Sequence, residues 1–186
     1  MSTFRFAIMG AGNIAHQFCD AVTLVEDCEV SAIASKDLGR AQKFAEECSV
    51  AHAYDNYEQM LIEEKPDCVY IAVTPNDHFR LTMLCLEHRV PVLCEKAMFT
   101  NSAEAKAVFE KAEKDQTFVM EAMWSRFLPA VNQAKKWAAE GKIGRLEALQ
   151  GRIGFLAPEG ADNRYHSPLL CGGAATDITV YAYEIA

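Results

Sequence analysis

Near its start the chain turns from an apolar run, Phe4-Arg5-Phe6-Ala7-Ile8-Met9, through Gly10-Ala11-Gly12-Asn13-Ile14-Ala15 into the helix-compatible His16-Gln17-Phe18-Cys19. Gly10 permits a tight turn, Gly12 lets the backbone come close to a ligand, and small Ala15 lets the helix pack against the strand. The N–H groups and positive dipole end of that helix then face an anion. A dinucleotide pyrophosphate fits such a turn. The alternative is an ordinary glycine turn. Against it stands a second β-like run, Val30-Ser31-Ala32-Ile33-Ala34, which closes a βαβ unit around the glycines.

The same alternation continues along the chain. Strand-like runs at 4–9, 29–34, 68–73, 91–94 and 117–120 are separated by helical patterns at 13–23, 37–47, 56–64, 78–88 and 102–115. This predicts an α/β fold, a Rossmann-type parallel sheet doubly wound with helices on both faces. Asp37, Asp55, Asn76 or Asp77, and Ser102 read as helix caps. The alternation stops after Phe118-Val119-Met120, at the aromatic stretch Glu121-Ala122-Met123-Trp124-Ser125-Arg126-Phe127. That places a domain boundary there, with a dinucleotide-binding domain over 1–120 and the beginning of an α+β domain over 121–186.

Composition excludes several classes of function. Across 186 residues the formal charge is −8, which supplies no basic field for nucleic acid or an anionic membrane. Seven cysteines form no C-x-x-C pair and read as reduced core thiols. The histidines at 16, 52, 78, 88 and 166 have no ligand spacing, so no metal site is expected. A strand that follows Met1-Ser2-Thr3 directly leaves no room for a secretory signal, and no apolar run is long enough to span a bilayer, so a cytoplasmic protein is expected.

Further motifs occur in a fixed order after the glycine turn: Ala34-Ser35-Lys36-Asp37, Thr74-Pro75-Asn76-Asp77-His78, Glu95-Lys96, Trp124-Ser125-Arg126-Phe127, and Gly172-Gly173-Ala174 followed by Asp177 and Tyr181. In this set the chain resembles the glucose-fructose oxidoreductase / inositol dehydrogenase / MocA (Gfo/Idh/MocA) family. Its last block is most similar to the branch that holds dimeric dihydrodiol dehydrogenases and NADP-dependent xylose dehydrogenases. The resemblance implies hydride transfer between a nicotinamide cofactor and a sugar, cyclitol or diol carbon, and a homo-oligomer when full length. A non-catalytic, dinucleotide-binding regulator of the same fold is the alternative. Ala97 stands where most relatives carry proline after the lysine.

Lys96 follows a buried strand, at the rim where open α/β sheets bind ligands, and can donate to a substrate oxygen or lower the pKa of a phenol. Taken alone, it is equally a strand-end lysine paired with Glu95. Asp177 and Tyr181 stand four residues apart in a helix-compatible run and project from one face. Tyr181 is then the acid/base, tuned by Lys96 and Asp177; the alternative is packing by Tyr181 and Tyr183. Ser35, Lys36 and Arg40 replace the acid that holds an NAD ribose and favour NADP, whereas Asp37 keeps NAD open. Besides Gly10, Gly12, Asn13 and Ile14, the resemblance implies that Thr74 and Asn76 contact the cofactor. It extends the same role to Glu95, Lys96, Trp124 and Arg126, and to His78 unless that residue only starts a helix. Leu146 to Phe155 reads as the first strand of the second domain, with Phe155 an aromatic wall for substrate. The chain stops at Ala186 inside a helical pattern with no C-cap signal, so it reads as a fragment that binds cofactor and turns over substrate poorly.

Overall fold

The computed structural model describes residues 3–160 and 163–185; the Met1-Ser2 lead and the end at Ala186 lie outside them. The chain divides into two compact units between Glu121 and Ala122.

The first unit is a six-stranded sheet with helices between the strands. Its strands are β1 (Phe4–Met9), β2 (Cys28–Ala34), β3 (His52–Tyr54), β4 (Cys68–Ile71), β5 (Val92–Cys94) and β6 (Val119–Glu121). Their order is β3-β2-β1-β4-β5-β6, and every pairing is parallel. In a parallel sheet all carboxyl ends share one edge, and the order reverses between β1 and β4, which is where such folds bind ligands. The central strands are apolar on both faces: Ala7, Ile8, Met9, Ala32, Ile33, Val69 and Ile71 are all fully buried.

The helices α1 (Asn13–Val22), α2 (Leu38–Cys48), α3 (Tyr57–Glu64), α4 (His78–Glu87) and α5 (Ser102–Asp115) cover the sheet with apolar stripes. Ala15, Cys19 and Val22 form the buried stripe of α1, and Leu81, Cys85 and Leu86 continue that of α4. Burial pushes the thiols of Cys19 and Cys68 up to about 12 and raises those of Cys85 and Cys94 as well, which keeps them protonated and unreactive. All seven cysteines are free thiols.

Three caps differ from the expectation. Asp77, at the N-cap of α4, makes no side-chain cap hydrogen bond. Asn56 caps α3 by accepting from the Gln59 N–H at 3.0 Å, and Asn101 caps α5 by accepting from Glu104 at 3.0 Å, in place of Asp55 and Ser102. Each true cap stands one residue from the expected one, and both are asparagines in extended conformation. Strand β3 was not anticipated; His52-Ala53-Tyr54 is neither an apolar run nor long enough to show an alternation. At the amino ends of the strands Glu64 is buried and paired with Arg5 at 2.8 Å, the Tyr54 hydroxyl at 2.6 Å and His52 at 2.6 Å. That cluster ties α3 to β1 and β3, away from the ligand edge.

The second unit holds α6 (Pro129–Ala139), α7 (Ala174–Asp177), α8 (Thr179–Ile185) and two short 3-10 turns, Trp124–Phe127 and Pro168–Leu170. The strand expected over Leu146 to Phe155 is not formed: those residues have no regular structure and are exposed. A strand needs a neighbouring edge to pair its backbone, and the described residues of this unit contain none. The continuous helix expected to carry Asp177 and Tyr181 is also corrected. Ile178, at φ −126° and ψ −33°, separates α7 from α8, so the four-residue spacing does not set both side chains on one helical face.

Candidate functional site

The carboxyl edge of the sheet is built around two glycines with different reasons for being there. Gly10 follows β1 at φ +110°, and a Cβ on it would lie 2.7 Å from the carbonyl oxygen of Ala72. The fold itself excludes any other residue. Gly12 begins α1 at φ −104°, a conformation open to all residues, and a Cβ there would meet nothing closer than 4.0 Å. The protein's own packing leaves space at Gly12, and a ligand approaching the backbone would use it.

Electrostatics mark the same spot. Helices α2, α3 and α5 each begin at a side-chain cap, from Asp37, Asn56 and Asn101, whereas α4 and α6 have none. Helix α1 has no side-chain cap and no acidic residue in its first turn, so its dipole end is left for an external anion. Asn13 and Ile14 in that first turn are exposed. An open glycine cradle and an uncapped helix at the switch of a 3-2-1-4-5-6 sheet fit a dinucleotide pyrophosphate.

In the loop after β2, Asp37 is the N-cap of α2. Its carboxylate accepts from the Arg40 N–H at 2.7 Å and is committed to capping α2. Ser35 is buried. Lys36 reaches Asp77 at 2.5 Å and remains largely exposed, and the Arg40 guanidinium donates to the Ala11 carbonyl at 3.4 Å. Arg40 thereby lies over the glycine turn. Burial pushes the Asp77 carboxyl up, but the adjoining Arg80 and Lys36 outweigh it and hold it below the usual range.

Beyond β4, Thr74 is extended and opens a short 3-10 turn, Pro75–Asp77, which leaves Asn76 exposed on the ligand edge. His78 is placed differently. It is fully buried, with Nδ1 3.0 Å from the Ala97 carbonyl and Nε2 3.0 Å from the Val73 carbonyl, so both ring nitrogens already face backbone. Glu95 is buried too: it accepts from the Tyr70 hydroxyl at 2.5 Å and from the Lys96 N–H at 3.2 Å. Burial pushes its carboxyl above the usual range. Both His78 and Glu95 hold backbone around Lys96. The Lys96–Ala97 peptide is cis, and Lys96 itself is half-buried. Tyr70 was missed in the sequence, where a tyrosine inside a buried strand reads as core.

In the second unit the Trp124 indole N–H donates to the Tyr181 hydroxyl at 2.9 Å, and the rings meet edge to face with centroids 5.8 Å apart. Tyr181 is buried while Trp124 is half exposed. A phenol oxygen that accepts from an indole is fixed in place and keeps its own proton for donation. Arg126 pairs with Glu184 at 3.4 Å, which also accepts from Ser125 at 2.9 Å and pairs with Lys135 at 3.4 Å. Glu184 was not anticipated, because a glutamate near a chain end carries no motif. Asp177 pairs with Arg164 at 3.5 Å. Phe155 is exposed and packs on the Tyr165 ring at 5.1 Å between centroids. Among the described residues, no group of three or more His, Cys, Asp or Glu could hold a metal, and no helix is long and apolar enough to cross a membrane.

Sheet order, glycine turn and uncapped helix define a dinucleotide-binding α/β protein. The chain belongs to the Gfo/Idh/MocA oxidoreductase family, whose NAD-binding Rossmann-fold model matches residues 4–123. It is 33% identical over 185 residues to trans-1,2-dihydrobenzene-1,2-diol dehydrogenase of Mus musculus, covering 97% of this chain and 54% of that protein. The pig (Sus scrofa) enzyme of the same name is 34% identical with the same coverage. The chain thus spans about half the length of the curated relatives it matches. An NAD-binding protein from Listeria innocua superposes with a TM-score of 0.87 at 22% identity, over 99% of this chain and 54% of that one. A 3-ketoreductase from Actinomadura kijaniata, solved with NADP, superposes with a TM-score of 0.71 at 26% identity, over 77% and 44%.

Proposed function

We propose that this chain belongs to an NADP-dependent dehydrogenase acting on a sugar, cyclitol or diol. The observation that carries the reading is the pairing of Gly12, open to a ligand, with an uncapped α1 at the switch point of the sheet. On this reading Gly10, Gly12, Asn13 and Ile14 receive the pyrophosphate, and Thr74 and Asn76 the adjoining ribose. The commitment of Asp37 to its own helix favours NADP over NAD, since it leaves Ser35, Lys36 and Arg40 to meet a 2′-phosphate. Lys36 exchanges Asp77 for that phosphate. The diol dehydrogenase name borne by relatives at 33% and 34% identity makes a vicinal diol the first substrate class to try.

A bound nicotinamide supplies or accepts the hydride at the substrate carbon. The protein's own task is the proton. Lys96, an ammonium on a half-buried loop, stabilises the charge on the substrate oxygen. Tyr181, whose hydroxyl oxygen is fixed by Trp124, gives or takes the proton, and Asp177 tunes the surrounding charge.

Turnover of a panel of vicinal diols, inositols and aldoses with NADP, by a chain restored to the full length of its relatives and by its Lys96→Met variant, tests the reading. Turnover that Lys96→Met abolishes supports it. A Lys96→Met variant as active as wild type contradicts it.

A further inference from the structure

We propose that His78 is a positioning residue for Lys96. The proposal rests on the reading of Lys96 given above, and concerns how the fold sets that side chain.

Lys96 sits in a short loop whose backbone is held on both sides by buried polar groups. On its amino side the Glu95 N–H donates to the Ile71 carbonyl at 2.9 Å, and the Glu95 carboxylate accepts from the Lys96 N–H at 3.2 Å. On its carboxyl side the Ala97 carbonyl faces His78 Nδ1 at 3.0 Å, and the Met98 N–H donates to Glu121 at 2.9 Å. Of these anchors, His78 alone reaches a second ligand-edge loop, since its Nε2 lies 3.0 Å from the Val73 carbonyl. Val73 borders the glycine turn: one of its methyl carbons would stand 2.9 Å from a Cβ on Gly10. One imidazole therefore spans the gap between the loop beside the pyrophosphate turn and the peptide that follows Lys96.

Other side chains would do this less well. A neutral imidazole donates through one nitrogen, and a change of tautomer moves that donor to the other carbonyl without moving the ring. The ring is fully buried, so water cannot take over for either contact. Its place as the first residue of α4 fixes the ring to an element whose next buried positions, Leu81, Thr82, Cys85 and Leu86, lie in the core. Displacement of the ring would pass straight to the Lys96 backbone.

The test uses the chain itself, with its lysines reductively methylated with 13C and the Lys96 signal assigned by Lys96→Arg. His78→Phe keeps an aromatic ring and removes both nitrogens; His78→Gln keeps one donating nitrogen and serves if the first variant does not fold. The expected result is a shifted or broadened Lys96 signal in the folded variant, with the signals of Lys43, Lys106 and Lys142 unchanged and a smaller displacement for His78→Gln than for His78→Phe. A role confined to stability would lower the melting temperature and leave the Lys96 signal in place, which would overturn the proposal. In turnover assays of a chain restored to the full length of its relatives, the same variants should lower kcat by about 10–100-fold at unchanged KM for NADP. Full activity in Lys96→Met would contradict the catalytic reading while leaving the NMR result on His78 to be judged separately.

Discussion

In the first unit the proposed contacts hang from the edge of a sheet whose central strands are fully buried, whereas in the second the functional candidates are held by polar pairs. Met123, Ser125 and Tyr181 are the buried positions among the described residues there. The difference teaches how each part tolerates change. Where backbone is fixed by parallel pairing, a site survives loss of a side chain and fails when a backbone position is blocked. Where an indole or a buried glutamate does the fixing, a single side chain carries the geometry.

Tyr181→Phe probes the second mode and has the largest expected effect. In a chain restored to the full length of its relatives, turnover should fall roughly 10²–10⁴-fold while dinucleotide affinity stays near wild type, because a proton donor is lost with little volume. Activity within a few-fold of wild type would remove Tyr181 from the mechanism. Gly10→Ala probes the first mode. A Cβ at φ +110°, 2.7 Å from a backbone oxygen, is expected to cost about 2–5 kcal/mol, read from the midpoint of urea unfolding. An unchanged midpoint would mean that the turn is not fixed by the sheet.

Lys36→Ala should lower the affinity for NADP about 10–100-fold, the size of one charge-assisted contact, and leave that for NAD unchanged. Titration calorimetry with both cofactors checks this, and equal losses for the two would withdraw Lys36 from the 2′-phosphate. The smallest effect is a pH dependence. Burial lowers the pKa of His78 from its ordinary 6.5. The unfolded state then binds the proton more readily, so the contribution to stability is present above pH 6.5 and is lost as pH falls from there toward the folded value. The difference in stability between wild type and His78→Phe should shrink on acidification through that window; a pH-independent difference would contradict the assignment.

The sheet was legible because its strands are apolar runs set off by glycine and asparagine, and because Gly10 and Gly12 stand where a strand gives way to a helix. Asp37 was legible as a cap, and its carboxylate accepts from the Arg40 N–H at 2.7 Å. Other features depend on tertiary contact and leave no local trace. Tyr70 and Glu95 meet across 25 residues, and Trp124 and Tyr181 across 57. A four-residue spacing placed Asp177 and Tyr181 on one face only under the assumption of an unbroken helix, which Ile178 ends. The alternating run from Leu146 to Phe155 has strand character but no edge among the described residues to pair with. Trp124 and Arg126, which the resemblance turned toward the cofactor, are engaged by Tyr181 and Glu184.

The central claim is that space at Gly12 is kept for a ligand and not for the fold, and Gly12→Val tests it most directly. Its φ of −104° is open to valine and the atom nearest the added Cβ is the Ala72 carbonyl oxygen at 4.0 Å, so stability should stay within about 1 kcal/mol of wild type, the scale of an N-cap change. Titration of the folded variant with NADP should show affinity reduced by at least about 100-fold, in line with a backbone approach blocked at the pyrophosphate. A stable Gly12→Val chain that binds NADP as tightly as wild type would contradict the account.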